Sequence, residues 1–251
     1  MITIYFSGTG NTEYVAHSFS AKMRCKCLSI EADADFSALI QANKTITLAY
    51  PIYCSRAPRI MREFVSKHAP SLRGKQLVIL VTQWMFSGDG ARSLTDLFEP
   101  GHVNVIYAEH FNMPNNICNM GMPRPTEKDI QKYVNNTEAK LERVCRELRA
   151  GTTRKRGFNP VSRMLGIPQG LPWLGGLEQR LRRDVKINDY CKLCGLCTEI
   201  CPTGNFSIRR GKVVHHNNCT QCYRCVNNCP SRAITVMIHK RPTWQYRPTL
   251  D

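Results

Sequence analysis

The chain contains two cysteine runs, Cys191-x2-Cys194-x2-Cys197-x3-Cys201-Pro202 and Cys219-x2-Cys222-x2-Cys225-x3-Cys229-Pro230. Three thiolates at this spacing lie on one tight turn and can hold three irons of a [4Fe–4S] cube, while the fourth iron needs a thiolate from elsewhere. In two-cluster arrangements the last cysteine of each run binds the other cluster. The pattern therefore predicts two [4Fe–4S] clusters. The expected metal ligands are Cys191, Cys194, Cys197 and Cys229 for cluster I, and Cys219, Cys222, Cys225 and Cys201 for cluster II.

Zinc is the alternative metal, because CxxC pairs also build zinc ribbons and knuckles. Those sites usually need two such pairs, whereas each run here has a third and a fourth cysteine followed by proline. The runs resemble those of bacterial two-cluster ferredoxins. The resemblance covers residues 186–240 and implies a small α+β domain. Val185–Ile187 and residues 233–238 are expected to pair as strands, and residues 206–214 are expected to form a hairpin that turns near Arg210 and Gly211.

The N-terminal residues 1–7 form a predicted strand that leads into the loop Ser7-Gly8-Thr9-Gly10-Asn11-Thr12, after which a helix begins. Such a unit binds anions through main-chain N–H groups, hydroxyls and the positive end of the helix. A P-loop is excluded because the Gly-Lys pair is absent, and a dinucleotide fingerprint is excluded because Glu13 stands where its third glycine would be. The loop favours a monophosphate held by neutral donors; a tight turn with chance hydroxyls is the alternative.

Five predicted strands alternate with helices through residue 150, which indicates a parallel sheet covered on both faces. The strands are expected at residues 1–7, 27–30, 44–53, 76–82 and 102–108, and the last helix at 126–150. This alternation, together with the Ser-Gly-Thr-Gly-Asn-Thr loop, resembles the flavodoxins. The resemblance covers residues 1–150. It implies an α/β flavodoxin-like doubly wound parallel sheet of order 2-1-3-4-5, with FMN at the carboxyl ends of strands 1, 3 and 4.

The residues expected to bind FMN lie in three loops at those strand ends. The first loop would hold the phosphate, and the other two would supply apolar walls and main-chain hydrogen bonds to the flavin ring. Core packing is the alternative role for the aromatic residues among them. The expected cofactor-binding residues are Ser7, Gly8, Thr9, Gly10, Asn11 and Thr12; Pro51, Ile52 and Tyr53; and Thr82, Gln83, Trp84, Met85, Phe86, Gly88 and Asp89.

Two segments lie outside the regular alternation. The Pro-containing residues 112–125 are a predicted loop that would cap the flavin, form the seam to the C-terminal domain, or be an ordinary surface loop. Residues 152–184 are a basic connector in which residues 178–183 would make a short helix. Its apolar residues favour packing over one or both domains, with a membrane or partner-docking strap as the alternative. The expected organisation is a flavodoxin-like domain at 1–151, the connector at 152–184, a ferredoxin-like domain at 185–240 and a tail at 241–251.

The chain is basic, with a formal net charge of +16, and residues 191–251 carry nine basic and two acidic side chains. In one interpretation this charge lies on a solvated surface and balances anionic cofactors. In the other it attracts an acidic redox protein partner or an anionic membrane face. Nucleic acid is not expected, since no binding motif accompanies the charge. Thirteen cysteines without a secretion signal indicate a cytoplasmic location. No apolar run has the length of a membrane helix.

Nearly the whole chain is similar to flavodoxin–ferredoxin fusion proteins. The resemblance implies an electron-transfer protein, because clusters pass single electrons while FMN accepts one or two. No general base, nucleophile or substrate motif stands out, so the catalytic residues stay unassigned. We expect a carrier or a small flavin-dependent reductase with a small-molecule electron acceptor. The alternative is a redox-sensing or docking module with structural clusters and no flavin.

Overall fold

The computed structural model describes residues 1–53, 56–85, 90–166 and 172–247. The chain forms two compact units, one from Met1–Pro114 with Lys128–Gln169 and one from Asn115–Glu127 with Gly170–Thr249. Residues 115–127 thus lie in the second unit, although the sequence pattern places them in the first domain. Within the described ranges, no helix has both the length and the apolar composition needed to cross a bilayer.

The first unit contains a six-stranded parallel sheet. The neighbouring strands follow the order β2-β1-β3-β4-β5-β6, and each pair is parallel. The predicted order 2-1-3-4-5 is confirmed, and β6 is an edge strand that the sequence did not predict. The strands are β1 Ile2–Tyr5, β2 Lys26–Ser29, β3 Thr45–Pro51, β4 Gln76–Gln83, β5 Asn104–Asn112 and β6 Arg154–Lys155.

Helices of the first unit pack on this sheet. One apolar cluster joins strand residues such as Val78 and Leu80 to Phe19 and Leu141 on two of the helices. The five consecutive side chains of residues 77–81 are all fully buried, as a parallel strand covered on both faces requires. The helices are α1 Asn11–Met23, α2 Phe36–Gln41, α3 Arg59–Lys67, α4 Ala69–Leu72, a 3₁₀ helix at Arg92–Leu97, α5 Glu127–Arg149 and α6 Pro160–Gly166.

Strand β5 extends four residues beyond its predicted end at Ala108 and carries a buried charge. The Glu109 side chain is 1% exposed, and its carboxylate pairs with Arg143 of α5 and, at 3.2 Å, with Arg156. A carboxylate is tolerated in this position because two guanidinium groups pair with it. The pair with Arg156, which follows β6, also fastens the start of the connector to the sheet.

The second unit consists of two small antiparallel sheets and short helices. Strand β7, Val185–Ile187, pairs with β10, Ile234–Val236, and β8, Phe206–Arg209, pairs with β9, Lys212–His215. Both predicted pairings are confirmed. Arg210 and Gly211 have φ angles of 48° and 70°, the left-handed geometry of a two-residue hairpin turn. The helices are α7 Pro172–Arg183, which is longer than predicted, α8 Leu196–Ile200 and α9 Arg224–Asn228.

Candidate functional site

The two cysteine runs have the same backbone geometry. Leu193 and Gln221, at equivalent places in the two runs, both have φ 55°, and the next equivalent pair, Gly195 and Tyr223, has φ 77° and 61°. Left-handed backbone costs a residue other than glycine roughly 1–2 kcal/mol. Both runs adopt this unfavourable left-handed backbone at equivalent positions, which indicates that the same structural requirement acts on each run. That requirement is a tight turn in which three thiols of one run point to the same place.

The last cysteine of each run accepts matching hydrogen bonds. The Cys201 Sγ atom accepts from the N–H of Asn205, and the Cys229 Sγ atom accepts from the N–H of Ala233, both at 3.3 Å. A hydroxyl lies near each sulfur as well, Thr203 Oγ1 at 3.5 Å from Cys201 and Ser231 Oγ at 3.6 Å from Cys229. Donors to sulfur stabilise a thiolate and tune the metal it binds.

The cysteines expected for cluster I lie around one cavity. All four thiols of that set line it, together with Cys225 of the other set and with Lys192, Leu196 and Ser231. Burial, followed by the charges of Cys191, Cys229 and Cys194, raises the pKa of the Cys197 thiol to about 11. The first run therefore meets the last cysteine of the second run.

The cysteines expected for cluster II are also close together. Burial, and then the charges of Cys219 and Cys201, raises the pKa of the Cys222 thiol to about 12. Burial likewise raises the pKa of Cys225 well above its ordinary value, with further contributions from Cys222, Cys219, Cys201 and Cys197. Arg224, which lies between Cys222 and Cys225, donates to the main-chain oxygen of Ile200 at 3.1 Å, so the end of the first run lies beside the second run.

This arrangement of thiols fits iron–sulfur clusters. Neighbouring buried thiolates repel each other, and buried charges persist when they are paired or bind a metal. A cationic iron core would supply the missing positive charge and keep the thiols deprotonated. The sulfur-directed N–H groups fit the same role.

Residues 115–127 cover part of the second cysteine run, which the sequence did not reveal. Cys118 is 2% exposed and belongs to the same apolar cluster as Cys219, Cys225 and Tyr223. The side chain of Asn119 donates to the main-chain oxygen of Val236 at 3.4 Å. The segment has no hydrophobic periodicity, so its sequence gives no signal for this packing.

The C-terminal residues also pack in the second unit. Trp244 and Tyr246 are buried, as expected for a tail docked by its aromatic residues. Trp244 Nε1 donates to the oxygen of Met122 at 2.9 Å, and the Gln245 amide donates to the oxygens of Val226 and Cys229. The tail therefore hydrogen-bonds to the backbone of the segment that links two predicted ligands, Cys225 and Cys229.

The predicted phosphate loop lies between β1 and α1. Gly10 has φ 99°, and among the described residues a Cβ built there would meet nothing within 4 Å. Its N–H donates to Ser7 Oγ at 3.1 Å, and the Thr12 and Thr82 hydroxyl oxygens are 2.7 Å apart. Gly10 is the N-cap residue of helix α1, and it has no side chain that could cap the first N–H groups of the helix. An open loop at a helix N-terminus suits a phosphate group.

The other two predicted flavin loops are described in part. Ile52 N donates to Thr82 O at 2.9 Å, so the residues after β3 lie beside the end of β4. Asn112, which lies outside the three predicted flavin loops, donates from its side chain to the oxygens of Trp84 and Met85. Met85 is 65% exposed. Thr82 and Gln83 are buried strand residues, whereas Pro51 and Tyr53 are half-buried. Phe86, Gly88 and Asp89 lie outside the described residues.

Comparisons with known proteins match the two parts of the chain separately. Residues 2–111 match the family model of the flavodoxin domain, and residues 190–234 match that of the 4Fe-4S dicluster domain. A ferredoxin from Methanothermococcus thermolithotrophicus is 44% identical over 52 residues, which cover 19% of this chain and 87% of that ferredoxin.

Solved flavodoxins are similar to the N-terminal part. The two-electron reduced flavodoxin of Megasphaera elsdenii is 22% identical, with a TM-score of 0.39 over 57% of this chain and 99% of its own. A flavodoxin from the domain Archaea is 15% identical, with a TM-score of 0.38 over 57% of this chain and 96% of its own.

The fold and the cysteine arrangement, together with these family matches, define an electron-transfer redox protein with a flavodoxin domain and a 4Fe–4S domain. The chain belongs to the flavodoxin–ferredoxin fusion family.

Proposed function

We propose that this protein passes electrons between FMN in its flavodoxin domain and two [4Fe–4S] clusters in its ferredoxin domain. The observation that carries the proposal is the meeting of the two cysteine runs around one cavity, which Cys191, Cys194 and Cys197 of the first run line together with Cys225 and Cys229 of the second. Cluster I would be held by Cys191, Cys194, Cys197 and Cys229, and cluster II by Cys219, Cys222, Cys225 and Cys201. A reducing cytoplasm suits this ligand set because it keeps the thiols free.

The open loop of residues 7–12 supports FMN as the second cofactor. Its hydroxyls and main-chain N–H groups would hold the phosphate, and residues after β3 and β4 would face the ring. Each cluster moves one electron at a time, whereas a flavin accepts one or two. The protein would therefore join one-electron and two-electron carriers, either as a carrier itself or as a small reductase.

Replacing two hydroxyls in the loop tests the flavin site. Thr9→Ala with Thr12→Ala should weaken FMN retention at least tenfold, since each lost hydrogen bond to a charged group is worth about 1.5–3 kcal/mol, and should leave iron content unchanged. Thr3→Val is the matched control, because it removes a buried hydroxyl of β1 that bonds to Ser20 at 2.8 Å. Unchanged FMN occupancy in the double variant would overturn the site assignment. Iron without FMN in the unmodified protein would support the sensing or docking module instead.

A further inference from the structure

The two predicted clusters differ in the solvent exposure of their cysteine ligands. Of the eight thiols, all of which the structure describes, Cys194 alone is exposed. In the set expected for cluster II, Cys219, Cys222 and Cys225 are buried and Cys201 is partly buried. One electron exchanged with another protein would therefore cross most readily at cluster I.

The surface beside Cys194 has an apolar centre. Tyr190 is 58% exposed and Leu193 is 43% exposed, and both are within four residues of Cys194 in sequence. Large apolar side chains exposed together next to a functional group are typical of a protein-binding surface. We call Tyr190, Lys192, Leu193, Cys194 and Arg241 the cluster I rim.

Two cations flank this apolar centre. Lys192 is exposed and lines the same cavity as Cys194. The Arg241 guanidinium carbon lies 4.0 Å from the centre of the Tyr190 ring, and the same group donates to the oxygen of Ser231, another residue of the cavity wall, at 3.2 Å. A stacked guanidinium with a fixed orientation can pair with a carboxylate.

The local sequence is also positive overall. In residues 186–199 and 239–241, the exposed cations outnumber the exposed acids; they are Lys186, Lys192, Lys240 and Arg241 against Asp189 and Glu199. Such a surface attracts an acidic partner and raises its rate of encounter.

We propose that the cluster I rim docks an acidic one-electron redox protein. Carboxylates of the partner pair with Lys192 and Arg241, and an apolar edge of the partner packs on Tyr190 and Leu193. One electron then leaves the reduced protein of the pair and enters the oxidised one, with no proton transferred. The proposal rests on the proposed clusters and adds the place and the chemistry of the partner.

Stopped-flow reduction of the full-length holoprotein tests this docking surface. The probe is a reduced, acidic plant-type [2Fe–2S] ferredoxin, and reduced methyl viologen serves as a small mediator. Lys192→Gln with Arg241→Gln should lower the second-order rate with the ferredoxin about tenfold at low salt, and added salt should remove the difference. Arg209→Gln with Lys212→Gln, an equal charge change on the exposed hairpin, should change the rate less than about twofold.

Several outcomes separate docking from folding and from loss of clusters. Arg241→Lys should keep most of the rate because the charge remains, and unchanged iron content in each variant shows that the clusters are intact. An equal loss of the ferredoxin rate in the two double variants, or no loss in either, would overturn the proposal that the cluster I rim docks the partner. Binding to phosphatidylserine vesicles that needs Lys192 and Arg241, with an unchanged ferredoxin rate, would assign the rim to a membrane instead. Absence of iron reduction by methyl viologen would refute the proposed function itself.

Discussion

The side-chain amide of Asn227 donates a hydrogen bond to the main-chain oxygen of Asn116 at 2.9 Å, across 111 positions of sequence. Asn227 is fully buried, and its side-chain oxygen accepts from the N–H of Tyr246 at 2.7 Å. One side chain near Cys229 therefore connects the segment after β5 and the C-terminal tail to the second cysteine run. The second unit consequently needs residues from three separate stretches of the chain.

Replacing Asn227 should destabilise the second unit. Asn227→Ala removes the hydrogen bonds to the oxygen of Asn116 and from the N–H of Tyr246, and each such bond contributes about 0.5–1.5 kcal/mol. The urea midpoint for loss of iron–sulfur absorbance should fall accordingly. Asn228→Ala is the control, since its amide bonds to Arg224 within the same short helix. Equal midpoints for the two variants would contradict the connecting role of Asn227.

The Thr12–Thr82 hydroxyl contact should orient the predicted phosphate loop. Thr82→Val keeps the shape of the side chain and removes the partner that lies 2.7 Å from Thr12. The Kd for FMN should rise about tenfold, as the loss of one oriented hydrogen bond of about 1.4 kcal/mol requires. Flavin fluorescence titration of the flavin-depleted protein measures this change. A Kd equal to that of the Thr3→Val control would show that the contact does not serve the flavin site.

The buried His110 should make folding sensitive to mild acid. Burial, with the nearby Arg156 charge, lowers the pKa of His110 to about 4. Unfolded histidine has a pKa of about 6.5, so between these values the unfolded chain binds more protons than the folded one. Stability should therefore fall as the pH drops from about 6.5 to about 4, by up to about 3 kcal/mol.

A His110→Gln variant separates this effect from other titrating groups. The urea midpoint of the variant should change less than that of the unmodified protein between neutral pH and about pH 5. Circular dichroism of the helices measures both. Parallel pH profiles for the two proteins would exclude His110 as the source of the slope.

The sequence predicted local patterns well and distant contacts poorly. Residues that are close together in sequence determine the alternating strands, the hairpin turn at Arg210 and Gly211, and the thiol spacing. Strand β5 was predicted too short because it continues through Glu109, a charged residue whose burial depends on distant ion pairs with Arg143 and Arg156. The position of Asn116 against the second run depends on a contact that no local pattern contains.

The proposed exchange of Cys201 and Cys229 between the two clusters predicts which cysteine variants should have the same iron content and the same spectrum. Cys201→Ala and Cys219→Ala would both remove a ligand of cluster II, and each should lower iron from about eight to about four atoms per chain. Electron paramagnetic resonance of the reduced variants should then give the same remaining signal, that of cluster I. Cys191→Ala should leave a different signal. A spectrum of Cys201→Ala that matches Cys191→Ala would refute the crossed assignment.

The most direct measurement uses full-length protein purified without oxygen. Iron, sulfide and FMN are counted per chain, and visible spectra are recorded during stepwise reduction. We predict about eight irons and one FMN per chain, with electrons redistributing between clusters and flavin after each addition. Iron without bound flavin, or a flavin whose reduction is independent of the clusters, would contradict the proposed transfer.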